Sequence, residues 1–335
     1  MEKRDSRRRK SRLEIEESTL KRINNSHHAF TEKSFRVLTV VAASLLVLIM
    51  VGIFVQLVWN SRLSIERFGF GFLFSSEWNP ATENYGALSS IFGTLVSSSI
   101  AMFLAVPTAI VTALFLVELA PPSLSKITGG AIELLAAIPS IIYGMWGLFV
   151  FVPFMADFVQ PFLIETFGEL PIFSLFFDGA PMGIGMLSAG IILALMILPI
   201  VTSVMRDVFV MVPSVVKESA YGMGSTTWEV TQKVTIRYGI RGVIGACFLG
   251  LGRAIGETMA ITFIIGNSHE ISLSLMDAGN SIASTLANEF AEASEPLYLN
   301  ALMELALVLL VMTVIIQIGA QWWVSKLKKS MGAGL

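Results

Sequence analysis

Long runs without charge alternate with short charged stretches along this chain. Residues 37–58 carry no charge and are numerous enough to cross ~30 Å of hydrocarbon as one helix. Trp59 follows, where an aromatic ring suits a membrane–water interface. A second apolar stretch covers residues 87–117; Pro107 interrupts it, and Glu118 with Pro121 and Pro122 ends it. Further stretches run over residues 131–153, 183–205, 242–266 and 300–324, the last closed by Trp322 and Trp323 ahead of Lys326, Lys328 and Lys329. Six helical spans are the simplest count. Residues 154–182 are apolar only in patches, broken by Asp157, Glu165, Glu169 and Asp178. That pattern predicts an outside loop with short interfacial helices.

Composition supports a bilayer protein. Of 335 residues, 54% are hydrophobic and 14% charged, with a mean hydropathy of +0.72. A soluble domain is closer to a quarter charged. Cys247 is the only cysteine, which excludes a disulfide framework or a cysteine metal cluster. His27, His28 and His269 form no evident metal site, so no metal is expected. No cleavable signal peptide is expected either, because the first apolar run is too long for one.

The net charge of −2 says little, because the charges are segregated. Eleven of the 23 basic residues precede the first span. Lys126 lies in the 118–130 loop, and Arg206, Lys217, Lys233, Arg237 and Arg241 lie between spans four and five. The alternate loops hold only Arg62 and Arg67, and the 268–299 loop carries Glu270, Asp277, Glu289, Glu292 and Glu295. Cytoplasmic loops are enriched in Lys and Arg, so both termini are expected inside. The chain thus divides into a charged cytoplasmic arm (1–35), a transmembrane domain (36–325) and a cytoplasmic tail (326–335). The arm reads as an orienting tail, since Glu14, Glu16 and Glu17 dilute its basic character. One basic residue belongs to neither side of the membrane, and it is Arg253.

The inside loop at about 206–241 is unusually long. Pro213-Ser214 reads as a helix start with Ser214 as N-cap. Gly222 and Gly224 break that helix, and Thr226 or Thr227 can cap a second one through Trp228, Val230 and Val234. Two short helices around a glycine turn would make either a docking element or an ordinary interfacial hairpin. Within this loop Glu218-Ser219-Ala220, Gly224 and Val234-Thr235-Ile236 follow the spacing E-A-A-x3-G-x9-I-x-L-P. The segment resembles the EAA motif of ABC importer permeases, departing from it at Ser219 and at Arg237, where proline is usual. The stretches YGALSSIFGTLVSS (85–98), ELLAAIPSIIYGMWG (133–147) and GLGRAIGETMAITFIIGN (250–267) are similar to the phosphate-specific members of that family.

This resemblance covers roughly residues 36–325. It implies an all-α type I importer permease fold, like that of the methionine permeases, with about six transmembrane helices. It also implies a second, pseudo-symmetric permease subunit, two copies of a cytosolic ATPase and an outside phosphate-binding protein. Glu218, Ser219, Ala220 and Gly224 would then transmit the ATPase's movement. The chain has no Walker A sequence, so ATP would be used by the partner ATPase, and no cofactor is expected on this chain.

Arg253 and Glu257 stand inside the fifth apolar stretch. A charge at mid-span costs about 2.5–3.5 kcal/mol on insertion scales. At i and i+4 on one helix the two side chains would share a face and could pair. One reading is a buried salt bridge that pins this span to a neighbour. The other is that Arg253 faces the translocation path, where a guanidinium fork matches a tetrahedral oxyanion, and Glu257 keeps the anion from binding too tightly. Glu133, nearer a span end, is a third candidate for that path. Gly252 and Gly256 match G-x-x-x-G, the spacing that lets a second helix approach closely. Two alternatives stay open: an ion-coupled secondary transporter that uses Glu257 and Glu133, and an ABC permease for sulfate or molybdate.

Overall fold

The computed structural model describes residues 32–168, 170 and 173–332, with side chains through Trp322 and at Lys326. Most of the charged arm, Glu169 and the side chains of Lys328 and Lys329 lie outside the described residues. Among the described residues, ten helices have seven or more residues: α1 (Glu32–Asn60), α2 (Arg62–Phe68), α3 (Leu88–Leu119), α4 (Pro122–Ala136), α5 (Ser140–Phe167), α6 (Met186–Val210), α7 (Ser214–Gly222), α8 (Thr227–Ile255), α9 (Ile282–Glu289) and α10 (Pro296–Gly332). Six of them, α1, α3, α5, α6, α8 and α10, are long and apolar enough to cross a membrane. The chain forms two compact units, Met1–Trp59 and Asn60–Leu335. The first contains nearly all of α1, which is apolar around its whole circumference.

The second unit is built around α6, the most deeply buried of the long helices. Lipid is as apolar as leucine, so helices in a bilayer associate through close packing and hydrogen bonds rather than through loss of water. α3 is shaped for this. Gly93, Ser97, Ala101, Ala105, Ala109 and Ala113 recur every fourth residue and form its buried face. Two buried hydroxyls of α3 return to their own helix: Ser97 Oγ donates to the Gly93 carbonyl at 2.7 Å and Thr94 Oγ1 to the Ser90 carbonyl at 2.7 Å. Ala101 and Ala105 meet Ile192, Leu193, Met196 and Ile197 of α6 in one core. Ala109 and Ala113 join Val201, Met205, Phe209, Val243 and Ala246 in another, toward the 206–241 segment.

Spans three and five differ most from the sequence reading. Residues 131–153 are not one span, because the chain leaves the helical conformation ahead of Pro139, and α4 ends at Ala136. The span proper, α5, runs on to Phe167 and takes in about half of the segment expected as an outside loop. Asp157 and Glu165 stay exposed on its surface, so their charges do not end it. Pro153 is tolerated because wider π-helical turns, Gly147–Phe151 and Met155–Val159, flank it. Span five is displaced as well: α8 begins at Thr227 and ends at Ile255, well short of residue 266. Finally, the acidic 268–299 loop contains α9, whose N-cap Ser281 exchanges hydrogen bonds with Ser284.

Candidate functional site

Arg253 lies in the last turn of α8, and Gly256 caps that helix with ψ near 3°, outside helical geometry. The depth of this end follows from packing. A side chain at Gly250 would meet Val201 at 2.6 Å, and Val201 is close to the middle of α6. α8 therefore stops beside the centre of its neighbour, and the arginine sits at mid-depth although it is at a helix end. A cation there is favoured by the helix dipole. The guanidinium is half-buried, and its Nε is enclosed with no hydrogen-bond partner among the described residues. Tyr143 of α5 is near enough to feel its charge.

Glu257 does not continue the helix. It falls past the break at Gly256, is 8% exposed, and its Oε1 accepts the Ala260 amide at 3.3 Å, capping the turn Met259–Thr262. No ion pair joins it to Arg253 among the described residues. The expected i, i+4 pair is thus corrected: once Gly256 leaves the helix, the one-turn register that would stack the two side chains no longer exists. Glu133 is also elsewhere. It lies on α4, is 62% exposed, and faces Arg206 Nη1 at 3.6 Å. That arginine lies across Gly129, one turn earlier on α4. An exposed pair of this kind contributes little to stability.

The two glycines divide in role. A side chain at Gly252 would meet Gln317 Nε2 of α10 at 2.7 Å, and Gln317 donates to the Phe248 carbonyl at 3.3 Å. At Gly256 the nearest atom is the carbonyl oxygen of Gly252, in its own helix, at 3.4 Å. Gly256 ends α8 and is not a packing face among the described residues; the close approach to α6 is made by Gly250.

The other feature is the 206–241 segment. Pro213, not Ser214, occupies the cap position of α7, so Ser214 is the first helical residue. Gly222 closes α7, Gly224 adopts φ +85°, and Thr226 caps α8 in a reciprocal box with Glu229. The second short helix expected here is the beginning of span five, since without a proline at 237 the helix passes straight through Arg237. Glu218 and Ser219 are exposed, whereas Ala220 is buried against the body. Around them Met211, Val215, Met223 and Trp228 expose apolar side chains (Met223 82%, Trp228 69%). Beneath α7, Glu118 Oε1 at the end of α3 accepts Lys217 Nζ at 2.7 Å and Thr235 Oγ1 at 2.7 Å. In the sequence Glu118 only marks the end of an apolar run, and its partners lie 99 and 117 residues away.

At the opposite end a polar cluster ties α9 to its surroundings. Glu289 accepts Trp78 Nε1 at 2.7 Å, the Tyr298 hydroxyl at 2.6 Å and His269 Nε2 at 3.0 Å. Burial pushes this carboxyl up, but the hydrogen bonds from His269, Tyr298 and Trp78 outweigh burial and hold it below the usual carboxylate range.

Comparison with known proteins places these features. Residues 86–331 match the family described as "Binding-protein-dependent transport system inner membrane component". The chain is 50% identical over 309 residues to a "Phosphate transport system permease protein PstC" of Pasteurella multocida, covering 92% of this chain and 96% of that one. It is 49% identical over 306 residues to the protein of the same name in Haemophilus influenzae, covering 91% and 97%. Among solved structures it is similar to a chain of the inward-facing MetNI methionine ABC transporter, with a TM-score of 0.53 at 15% identity, covering 71% of this chain and 94% of that chain. That likeness shows the fold, the all-α type I permease architecture. A multi-pass inner-membrane transport subunit rather than an enzyme, the chain belongs to the binding-protein-dependent transport system inner membrane component family, among its PstC permeases.

Proposed function

We propose that the chain is the permease subunit through which an ATP-driven importer carries inorganic phosphate across the inner membrane. The observation that carries this reading is its identity of about one half, over more than nine-tenths of both chains, to relatives named as phosphate permeases. The importer would be completed by a PstA-like second permease, a PstB-like ATPase dimer that uses the ATP, and a PstS-like phosphate-binding protein. α7, with exposed Glu218 and Ser219 and the neighbouring apolar Met223 and Trp228, would dock on the ATPase from the cytoplasmic side, which also places both termini in the cytoplasm. Gly224 would set the turn and Ala220 seat the helix.

Arg253 supports the substrate class. It is a mid-depth guanidinium with an unfilled donor, beside a broken helix, and chain of that kind at membrane depth lines cavities in transporters. In this role it meets phosphate in the path, with Glu257 holding the following turn in place. Glu133 contributes at the cytoplasmic end of the same route, through Arg206. The test is phosphate uptake in a strain deleted for this gene and complemented with the chain, competed with sulfate and molybdate. Restored uptake that vanadate stops and only phosphate competes for supports the reading. Uptake that an uncoupler collapses at constant ATP overturns it in favour of ion coupling.

A further inference from the structure

Glu118 is a carboxylate that neither translocation nor docking requires, yet it lies where three elements meet. It belongs to the π-helical turn Phe115–Leu119 that ends α3, and its side chain is 7% exposed. One oxygen, Oε1, receives both Lys217 Nζ of α7 and Thr235 Oγ1 of α8. Lys217 is itself only 17% exposed, so the ammonium is folded under α7 and turned away from solvent. The position immediately after it is Glu218, on the exposed side of the same helix. The second partner, Thr235, is 0% exposed and closes the π-helical turn Thr231–Thr235 through which α8 rises from its cap.

Apart from this contact, little holds α7 rigidly. It is nine residues long, its N-cap makes no side-chain hydrogen bond, its far end is the glycine turn at 222–224, and only Ala220 of its residues is buried. A short helix tied only by exposed backbone would rock when pushed, and the push would be lost within the loop. A buried charge pair with a second donor on the same oxygen is short, directional and costly to break.

We infer that Glu118 is a positioning residue for coupling: through Lys217 and Thr235 it locks α7 to the ends of α3 and α8, so that displacement of the docked helix moves both spans as one body. This rests on the proposal that α7 is the ATPase-docking helix.

The whole importer, reconstituted in proteoliposomes, allows the two ideas to be separated. A cysteine at the exposed α7 position Tyr221 (Tyr221→Cys), in a Cys247→Ser background with Glu118 intact, should cross-link to the ATPase; failure to do so overturns docking and the clamp with it. In the same background E118Q should still cross-link and still hydrolyse ATP. Coupling between sites is commonly worth about 5- to 150-fold, so phosphate delivered per ATP should fall about fivefold or more. A structural support alone would lower the amount of complex and leave that ratio unchanged. Exchanging the charges in E118K/K217E should restore part of the ratio. If E118Q does not reach the membrane, K217Q cuts the same clamp from its more exposed side and should give the same loss. An unchanged ratio in a cross-linking E118Q complex overturns the clamp while leaving docking intact.

Discussion

Arg253 and Glu289 are both charged groups away from bulk water, and their surroundings make opposite demands. Arg253 has a donor with no partner among the described residues. In the proposed role that donor is completed by an anion in transit, and a charged hydrogen bond of this kind is worth about 1.5–3 kcal/mol. Phosphate uptake by R253Q, measured at matched membrane levels, is expected to fall about 10- to 150-fold, and R253K, which keeps the charge without the fork, to lie between. Glu289 is instead fully engaged by three donors. Its folded carboxyl titrates below its unfolded one, so its contribution is complete above about pH 4.3 and is lost as pH falls through the folded value. Thermal unfolding in detergent should therefore show E289Q less stable than wild type at pH 7, with the gap narrowing toward pH 3.

At the scale of single elements, glycine makes two different contributions. A side chain at Gly93 would stand 1.8 Å from the backbone carbonyl of Asn280, which cannot swing aside as a side chain can. G93A is expected to destabilise the bundle by at least the ~1–3 kcal/mol typical of overpacking, visible as a lowered unfolding temperature. Gly224 faces open space, and only its φ of +85° excludes larger residues. G224V should cost ~1–2 kcal/mol of local stability and weaken cross-linking at position 221. G224N should cost less, because asparagine tolerates left-handed backbone. The existence of the six spans was legible from uninterrupted apolar runs, since each must cover the same hydrocarbon thickness. Their ends were not. Whether Asp157 ends a helix depends on whether it can face water at the surface of α5, and the sequence alone does not tell Pro139, which follows the end of α4, from Pro107 and Pro199, which lie inside α3 and α6.

For the molecule as a whole, segregation of charge was the most informative pattern, because the rule behind it concerns loops and needs no tertiary contact. It predicts that an impermeant maleimide added from the cytoplasm labels M223C, and that one added from outside labels a cysteine at the exposed position Glu270; the reverse pattern would invert the topology. The candidate site was legible only as a list of residue types. Arg253 and the glycines 250–256 stood out in the sequence, but the pairing of Arg253 with Glu257 assumed a helix that Gly256 ends. Glu118 was invisible as a functional residue, because both of its partners come from a distant part of the chain. Sequence periodicity reports which residues share a helix face. It does not report which carboxylate receives a lysine a hundred residues away.

The early end of α8 also decides how the chain beyond it holds together. From Gly256 to Ser281 the only helix is the single turn Met259–Thr262, and several peptide groups here bond to other segments: the Ile264 carbonyl takes the Gly185 amide at 3.0 Å, the Ile265 carbonyl the Gly279 amide at 2.8 Å, and the Gly279 carbonyl the Ser268 amide at 2.9 Å. A helical amide exchanges with solvent when its own helix frays, whereas these exchange only when two segments part. Deuterium uptake at Gly185, Ser268 and Gly279 is thus a clock for separation of these segments at the N-terminal end of α6. It should quicken together at all three amides when the transporter cycles, while the amides of α6 below Val201 keep their resting rate.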